Sequence, residues 1–383
     1  MPRPGPGPVQ RVLLCAVIVV LCLPLTKAAR DMFAKEETSR DSAEWRIRHA
    51  TLARAKVFVD SATPIGARDL SVPPNDPRPF DPKTRLECRY VSKKISGTTP
   101  KFDCELPGGE VVKVKYGRTP ERHGEVAATR ILAALGFGAD RVQFVERLRC
   151  YGCPPSPFRL RQILDFFYAA DLADLFVNHD RHRDYEWVTV ERKLDGESIE
   201  VGEIEGWGWF DLERVKQAAG GAPIGDVDAL RLIAILIANW DNKEANQRLL
   251  CLGEESTGHT PPPCRMPLVM LQDVGATFGP TKVNFDAWKE APIWKDADAC
   301  VVSMETFPHD GGTFLPVKIT EAGRQTLARR LNQLTDAQLT AAFLSARFPD
   351  PGDKWSVATD VRPWVTLFQE KARQISARPA CPQ

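Results

Sequence analysis

Three polar side chains in the middle of the chain have the types and the order that phosphoryl-transfer chemistry requires. Asp241 and Asn246 stand five residues apart in a polar segment, and Asp273 opens the triplet Asp273-Val274-Gly275. Carboxylate and amide oxygens are ligands that suit Mg²⁺ and Mn²⁺, and a carboxylate is also a proton acceptor. Asp-x-Gly by itself is typical of a turn in which the glycine takes a positive φ. The order of the three residues therefore carries more weight than any one of them.

The segments around these residues predict the elements that would position them. An apolar run with helical character, residues 226–239, precedes the first carboxylate. Strand-like runs at 248–252 and 266–271 separate the amide from the second carboxylate. The predicted order is helix, polar loop, strand, loop, strand and Asp-x-Gly.

Further elements are predicted upstream and downstream of this segment. Strands are predicted at 86–91, 101–106, 110–116, 141–148 and 187–194, and helices at 41–59, 121–135, 320–334, 335–347 and 359–377. Thr119 and Pro120 are expected as the N-cap and first residue of the helix at 121–135, and Gly136 as its C-terminal cap. The fold class is therefore predicted to be α+β, with a strand-rich N-terminal part before a helical C-terminal part.

Taken together, this layout resembles the protein-kinase-like superfamily over residues 86–280. The resemblance is to the atypical branches: secretory-pathway kinases, CotH-type spore-coat kinases, HipA-type toxin kinases and phosphoinositide kinases. It implies a two-lobed kinase-like fold with a small strand-rich N-lobe and a larger helical C-lobe. The N-lobe would span residues 86–194, ending in a hinge, and the C-lobe would span residues 195–383.

The resemblance also implies roles for the third predicted strand and the helix after it. In the strand at 110–116, Lys115 would hold the α and β phosphates of ATP, and Lys113 would line the adenine pocket. Both lysines lie on one face of the strand, because side chains alternate. Glu125 would form the ion pair that positions Lys115, and Glu121 on the same helix is its rival.

By the same resemblance, the catalytic acceptor of the hydroxyl proton is Asp241. Asn246 and Asp273 would bind the metal ions, Mg²⁺ or Mn²⁺. Two features depart from the family pattern. Asn239-Trp240 stands where His-Arg precedes the catalytic Asp, and the glycine-rich loop is missing.

Two other segments complete the predicted nucleotide site. The turn made by Ser96, Gly97, Thr98 and Thr99 replaces the glycine-rich loop and is expected to contact phosphate through hydroxyl and N–H groups. Glu191 lies on the strand at 187–194 that would lead into the hinge, and is assigned to nucleotide binding. His182-Arg183-Asp184 spells the catalytic triplet, but position 189 is threonine where asparagine is required, so this match is set aside.

Composition and the amino end limit the class of protein. The 383 residues carry 51 basic and 50 acidic side chains, so a nucleic-acid partner, which needs a basic surface, is not expected. Residues 1–28 have the positive start, apolar centre and small residues of a signal peptide cleaved after Ala28. An uncleaved anchor is the alternative. The chain is expected in the periplasm or outside the cell, touching a membrane only through residues 1–28. Residues 29–85 are expected to form a helix and a Pro-rich arm.

Eight cysteines follow the predicted cleavage site, and an even number in an oxidising compartment favours disulfides. Cys88 with Cys104, and Cys251 with Cys264, flank short loops and are candidate pairs. Cys150 and Cys153 are followed by a Pro-rich stretch and not by a helix, which favours a structural disulfide or turn over a reactive thiol. A zinc site at this pair would need two more ligands, and Cys251 and Cys264 could serve only if the fold brought them close.

The sequence therefore predicts an exported, metal-dependent phosphotransferase. It would move a phosphate from ATP to a hydroxyl of an exported protein or of a small molecule. One alternative is a catalytically inactive nucleotide-binding scaffold, and another is a thiol redox protein that uses Cys150 and Cys153. Transfer of a nucleotidyl group, or from a different donor, is also left open.

Overall fold

The computed structural model describes residues 43–95, 97–167, 170–201, 205–253, 264–280, 282–307 and 311–382. The signal peptide predicted at 1–28 and the candidate Ser96 lie outside these residues. The chain divides into a short unit, residues 1–50, and a large unit from residue 51 onwards. Helix α1 (Ala43–Ala53) is shorter than the predicted helix at 41–59. Within the described ranges, no helix has the length and apolar character that a membrane crossing requires.

The first half of the large unit contains a closed five-stranded barrel. Its strands are β1 (Leu86–Val91), β2 (Lys101–Glu105), β3 (Val111–Lys115), β4 (Arg141–Tyr151) and β5 (His182–Arg192). Their order is β1-β2-β3-β5-β4, so the predicted meander of the first three strands is present. Parallel pairing of β1 with β4 closes the barrel and sets Cys88 opposite Cys150. Apolar side chains that alternate along the strands, such as Val112 and Val114 of β3, fill its interior.

Helix α2 (Glu121–Ala134) connects β3 to β4 and packs against β4. Its N-cap position is occupied by Pro120, one residue later than predicted, but the hydroxyl of Thr119 accepts a hydrogen bond of 3.4 Å from the N–H of Glu121. Gly136, with a φ of 88°, follows the helix and allows the chain to turn into β4. Most of the helix is buried, and four of its fourteen residues are alanines.

Between β4 and β5 the chain forms helix α3 (Pro157–Phe166) and a 3₁₀ turn (Ala170–Phe176). Strand β5 begins at His182, five residues before the predicted start, and the early part pairs with the end of β4. The His182-Arg183-Asp184 triplet therefore lies in an exposed strand. Asp184 is bound there by Arg149 at 2.8 Å.

A second sheet is formed by β6 (Glu197–Ser198), β7 (Gln247–Cys251) and β8 (Pro267–Leu271). Every residue of β7 and β8 is buried. Helix α4 (Ile224–Leu236) precedes β7 in the chain and is almost entirely buried as well. This helix and the two longer strands are the predicted supports of the three polar residues, with ends that differ by up to three residues.

The C-terminal region contains the three helices predicted for it and a short fourth one. Its helices are α5 (Phe285–Glu290), α6 (Glu321–Leu331), α7 (Asp336–Ser345) and α8 (Arg362–Ser376). Two short hairpins were not predicted: β9 (Val301–Val302) with β10 (Val317–Lys318), and β11 (Pro349–Asp350) with β12 (Asp353–Val357). The side-chain hydroxyls of Thr320 and Thr335 cap α6 and α7.

All eight cysteines beyond residue 28 form disulfides. The bridges are Cys88–Cys104, Cys150–Cys153, Cys251–Cys264 and Cys300–Cys381. The two candidate pairs from the sequence are among them. Because Cys251 and Cys264 bond to each other, they do not supply the additional zinc ligands considered for Cys150 and Cys153.

Candidate active site

A cleft of about 710 Å³ gathers the predicted polar residues from distant parts of the chain. The barrel strands, the start of α2, and the loops that follow α4 and β8 all contribute to its lining. The charged side chains in the lining are Lys93, Lys101, Lys113, Lys115, Lys193, Lys243, Lys282, Glu121, Glu125, Glu191, Glu205, Asp241 and Asp273. Gly97, Thr98, Thr99 and Asn246 also line it, so every described residue of the predicted site borders this one cleft.

Lys115 lies at the end of β3, with its neighbour Val114 in the barrel core. Its ammonium contacts Glu125 Oε1 at 2.6 Å, and both side chains are only 3% exposed. Burial lowers the pKa of Lys115, but the carboxylates of Glu125, Asp273 and Glu191 more than offset it, so the pKa is raised well above its ordinary value. Lys115 is therefore a permanent cation in the cleft.

Glu121, the rival partner of Lys115, is engaged elsewhere. Its carboxylate accepts a hydrogen bond from the hydroxyl of Thr99 and lies 3.7 Å from the ammonium of Lys282. The two glutamates are one helical turn apart, yet they serve different neighbours. Glu125 faces the lysine of β3, whereas Glu121 ties the turn before β2 to helix α2.

Lys113 and Glu191 form a second ion pair, which the sequence did not predict. They are direct partners across β3 and β5, and their charged atoms are 2.8 Å apart. The other oxygen of Glu191 is 3.9 Å from the ammonium of Lys115. Burial raises the pKa of Glu191, but the ammonium groups of Lys113 and Lys115 lower it by more. The pKa of Glu191 is therefore depressed overall. Lys113 and Glu191 thus form one charge network with Lys115.

Two glycines allow helix α2 to approach the Asp273 loop. A Cβ atom on Gly124 would lie 2.9 Å from the carbonyl oxygen of Gly275, and one on Gly275 would lie 2.4 Å from Cγ of Glu121. Gly275 does not have a positive φ, so the expected turn conformation is wrong. The glycine of Asp-x-Gly is required here by close packing.

The loop after α4 brings Asp241 and Asn246 together. The side-chain amide of Asn246 donates a hydrogen bond of 2.6 Å to the backbone carbonyl of Asp241. The backbone carbonyl of Asn246 accepts from the N–H groups of Gln272 and Asp273, at 3.0 and 3.1 Å. The Asp241 carboxylate is 30% exposed and lies 3.3 Å from the ammonium of Lys243. It is therefore open to a molecule that enters the cleft.

Asp273 presents an ionised carboxylate to the cleft. Burial raises its pKa, but Lys115, Lys101 and the backbone N–H of Gly275 outweigh this effect, so the pKa is lowered. The amide nitrogen of Asn246 is occupied by the Asp241 carbonyl, which leaves its side-chain oxygen as the ligand atom. A charged and a neutral oxygen donor form a set that fits Mg²⁺ or Mn²⁺.

Several lining residues were missed by sequence reasoning. They are Lys93, Lys101, Lys193, Glu205, Lys243, Gln272 and Lys282. For Lys101 a signal was available, since the tight turn between β2 and β3 places it directly opposite Lys115. The others lie in loops, where the sequence pattern contains no information about direction.

No family model and no curated protein matches the chain. Among solved structures, it is similar to the crystal structure of CtkA, a proinflammatory kinase of Helicobacter pylori. The TM-score is 0.44 and the identity 11%, over 77% of this chain and 98% of that chain. A likeness at this level does not assign a family.

The second sequence candidate, Cys150 with Cys153, does not line the cleft. The two cysteines are bonded to each other, and Cys150 is buried in the barrel core. Its sulfur lies 3.7 Å from that of Cys104, which belongs to the neighbouring disulfide. The pair packs with the barrel interior and has no contact with the charged cleft.

Proposed function

We propose that the protein is a metal-dependent phosphotransferase with a two-lobed, kinase-like arrangement. It moves a phosphoryl group from ATP to a hydroxyl group of an exported protein or a small molecule. The barrel with α2 acts as the small lobe, and the helical region after residue 194 as the large one. The observation that carries the proposal is the convergence of Lys115, Glu125, Asp241, Asn246 and Asp273 on one cleft.

The residues divide the work of the reaction. The ammonium of Lys115, positioned by Glu125, holds the phosphates of ATP. Asp273 and the side-chain oxygen of Asn246 hold the metal ions. When bound, these ions neutralise charge on the phosphates and so favour transfer.

The exposed carboxylate of Asp241 accepts the proton of the attacking hydroxyl. As the oxygen of the acceptor bonds to the γ-phosphorus, the bond between that phosphorus and the β–γ bridging oxygen breaks, and ADP leaves. The proton of the hydroxyl passes to Asp241. The ammonium of Lys243 lies 3.3 Å from this carboxylate. Asn246 fixes the backbone of Asp241, so the carboxylate is oriented before the acceptor arrives.

The disulfides support an exported location. Four bridges that use every cysteine beyond residue 28 are typical of proteins that fold in an oxidising compartment. An exported acceptor, either protein or small molecule, is consistent with that location. We therefore place the reaction outside the cytoplasm, after removal of the segment that ends at Ala28.

The test is a transfer assay on the purified, oxidised protein. It is incubated with γ-labelled ATP and Mn²⁺, alone and with an extract of exported proteins and metabolites, beside the Asp273→Asn variant. We expect label on the protein itself or on one component of the extract, and none with the variant. Stabilisation by ATP and Mn²⁺ without any transfer would identify a nucleotide-binding scaffold instead. Transfer from α-labelled ATP would identify a nucleotidyl transferase.

A further inference from the structure

Lys101 is the first residue of β2 and lies directly opposite Lys115 of β3. The next residue, Phe102, is buried in the barrel core, so alternation directs Lys101 to the other face of the sheet, where it lines the cleft. Lys113 and Lys115 border the same cleft from β3. Two neighbouring strands thus bring three lysines to one wall.

Most of the lysines around the cleft are neutralised by a carboxylate. Lys113, Lys115 and Lys243 contact Glu191, Glu125 and Asp241. Lys93 and Lys282 contact Asp103 and Glu121. Of the seven lysines in the lining, only Lys101 and Lys193 have no ion-pair partner among the described residues. Lys193 is exposed, whereas Lys101 is half-buried.

The surroundings make Lys101 an uncompensated cation. Burial lowers its pKa, and repulsion from Lys115 and Lys113 lowers it further, against weaker attraction from Asp273 and Glu191. The ammonium of Lys101 is therefore destabilised by its surroundings, and an anion bound beside it would stabilise it. The position is thus electrostatically prepared for a negatively charged ligand.

The turn before β2 also favours a negatively charged ligand. A Cβ atom on Gly97 would lie 3.2 Å from the Lys101 ammonium, and Gly97 has a φ of 81°. The glycine lets the turn's backbone lie close to that ammonium. Thr98 and Thr99 follow it along the cleft lining, and the Thr99 hydroxyl donates its hydrogen bond to Glu121. Backbone N–H groups, hydroxyls and an ammonium are the groups that bind phosphate.

We propose that Lys101 is a second phosphate-binding lysine, which holds the terminal phosphates of the donor opposite Lys115. It takes over part of the role that a glycine-rich loop would have, and the site accepts ligands with two or more linked phosphates. The nucleotide identity of the donor rests on the proposed function. The polyphosphate site itself does not, because Lys101 contacts only the phosphate groups.

The experiment measures binding by calorimetry, in Mn²⁺, of inorganic pyrophosphate, ADP and AMP. The proteins are the wild type, Lys101→Met, Lys101→Arg and a matched control, Lys93→Met. Lys93 borders the same cleft but is 68% exposed and pairs with Asp103. Loss of one charged contact weakens binding by roughly 10- to 100-fold.

We expect Lys101→Met to lose that much affinity for pyrophosphate and ADP, and less than about threefold for AMP. Lys101→Arg should recover most of the loss, and Lys93→Met should bind like the wild type. Without ligand, Lys101→Met should unfold at the same or a higher temperature than the wild type, because an uncompensated charge is gone. A purely structural lysine would give the opposite shift.

The outcomes separate this inference from the proposed function. If Lys101→Met binds ADP as tightly as the wild type, or loses AMP and ADP equally, the inference is wrong while the function stands. If the wild type binds pyrophosphate through Lys101 but no nucleotide, the inference stands and ATP is the wrong donor. If the wild type does not bind pyrophosphate at all, the site proposed here does not exist.

Discussion

The side-chain amide of Asn246 holds the backbone carbonyl of Asp241 at 2.6 Å. The backbone carbonyl of the same asparagine accepts hydrogen bonds from the N–H groups of Gln272 and Asp273. One residue therefore connects the loop of the proposed proton acceptor with the loop of the proposed metal ligand. The spacing of five residues matters for the structure as well as for the chemistry, since it lets the Asn246 side chain reach back to the Asp241 carbonyl.

The first prediction contrasts Asn246 with its neighbour Asn242. Asn246→Ala should lower the rate of transfer by roughly 100-fold or more, because a metal ligand and the anchor of Asp241 are lost together. Its effect on stability should be near 1 kcal/mol, the usual value for one hydrogen bond. Rates and urea unfolding measured on the same preparation test both parts.

Asn242 should behave in the opposite way. It is fully buried, and its side chain bonds to the carbonyl of Trp240 and to the N–H groups of Thr313 and Phe314. Asn242→Ala leaves these groups without partners and should cost about 2 to 4 kcal/mol. If Asn246→Ala is the more destabilising of the two, Asn246 is structural and its proposed role is wrong.

The second prediction concerns the buried pair of Lys115 and Glu125. Glu125→Gln leaves the Lys115 ammonium without its closest counter-ion, so it should destabilise the protein by about 3 kcal/mol and lower transfer by 10- to 100-fold. Combining it with Lys115→Met should restore much of the stability but none of the activity. Urea unfolding and initial rates measure the two effects separately.

Glu121→Gln provides the matched control for this pair, since it lies on the same helix and contacts Thr99 and Lys282 instead. Its rate should stay within about tenfold of the wild type. A larger loss in Glu121→Gln than in Glu125→Gln would show that the rival glutamate is the functional one.

The third prediction uses the close packing of Gly124. Gly→Ala inside a helix normally stabilises a protein by up to about 1 kcal/mol. Here the new Cβ would meet the Gly275 carbonyl oxygen at 2.9 Å and the Thr277 hydroxyl at 3.0 Å. Gly124→Ala should therefore destabilise the protein by about 1 to 3 kcal/mol and slow transfer, because α2 and the Asp273 loop are pushed apart. An unchanged or increased stability would contradict this packing.

Much of this arrangement could be predicted from the sequence. The alternation in β3 placed Lys113 and Lys115 on one face, and the apolar runs placed α4, β7 and β8 around Asp241 and Asp273. These features depend on local periodicity, which a sequence contains directly. The disulfides Cys88–Cys104 and Cys251–Cys264 could be predicted because each pair flanks a short loop.

The rest depends on contacts between distant residues. The parallel pairing of β1 with β4 closes the barrel, and no local pattern indicates it. The early start of β5 does not read as a strand in the sequence because its residues are charged. Asp184, for example, pairs with Arg149 of β4. The choice between Glu121 and Glu125 depends on their contacts with Lys115, Thr99 and Lys282, which lie on other segments. None of these can be read from spacing along one segment.

The fourth prediction concerns pH. Burial lowers the pKa of His123 to about 4 from 6.5, although its ring nitrogen lies 3.0 Å from the Ala346 carbonyl oxygen. Between these two values the unfolded chain binds a proton that the folded protein does not, so stability falls as the pH falls through this range. Relative to His123→Gln, the wild type should lose about 2 to 3 kcal/mol between pH 7 and pH 4.5.

The comparison with His123→Gln is needed because other groups titrate nearby. Burial raises the pKa values of Asp140 and Glu125 above those of ordinary carboxyl groups. A raised carboxyl pKa makes stability increase as the pH falls, which is opposite to the effect of His123. Asp140 and Glu125 are the same in the wild type and in His123→Gln, so their contributions cancel in the comparison. Urea unfolding at a series of pH values isolates the histidine as the difference. Parallel curves for the two proteins would mean that His123 is not buried in its neutral form.

The most direct test of the account is the substitution Asp241→Asn, which preserves the size of the side chain and removes the proton acceptor. The measurement is a single-turnover transfer from γ-labelled ATP in Mn²⁺, together with the affinity for ADP. We predict a loss of transfer of roughly 10²- to 10⁴-fold, with affinity for ADP within a few-fold of the wild type. Full transfer by the variant would show that Asp241 is not the acceptor and that the cleft performs a different reaction.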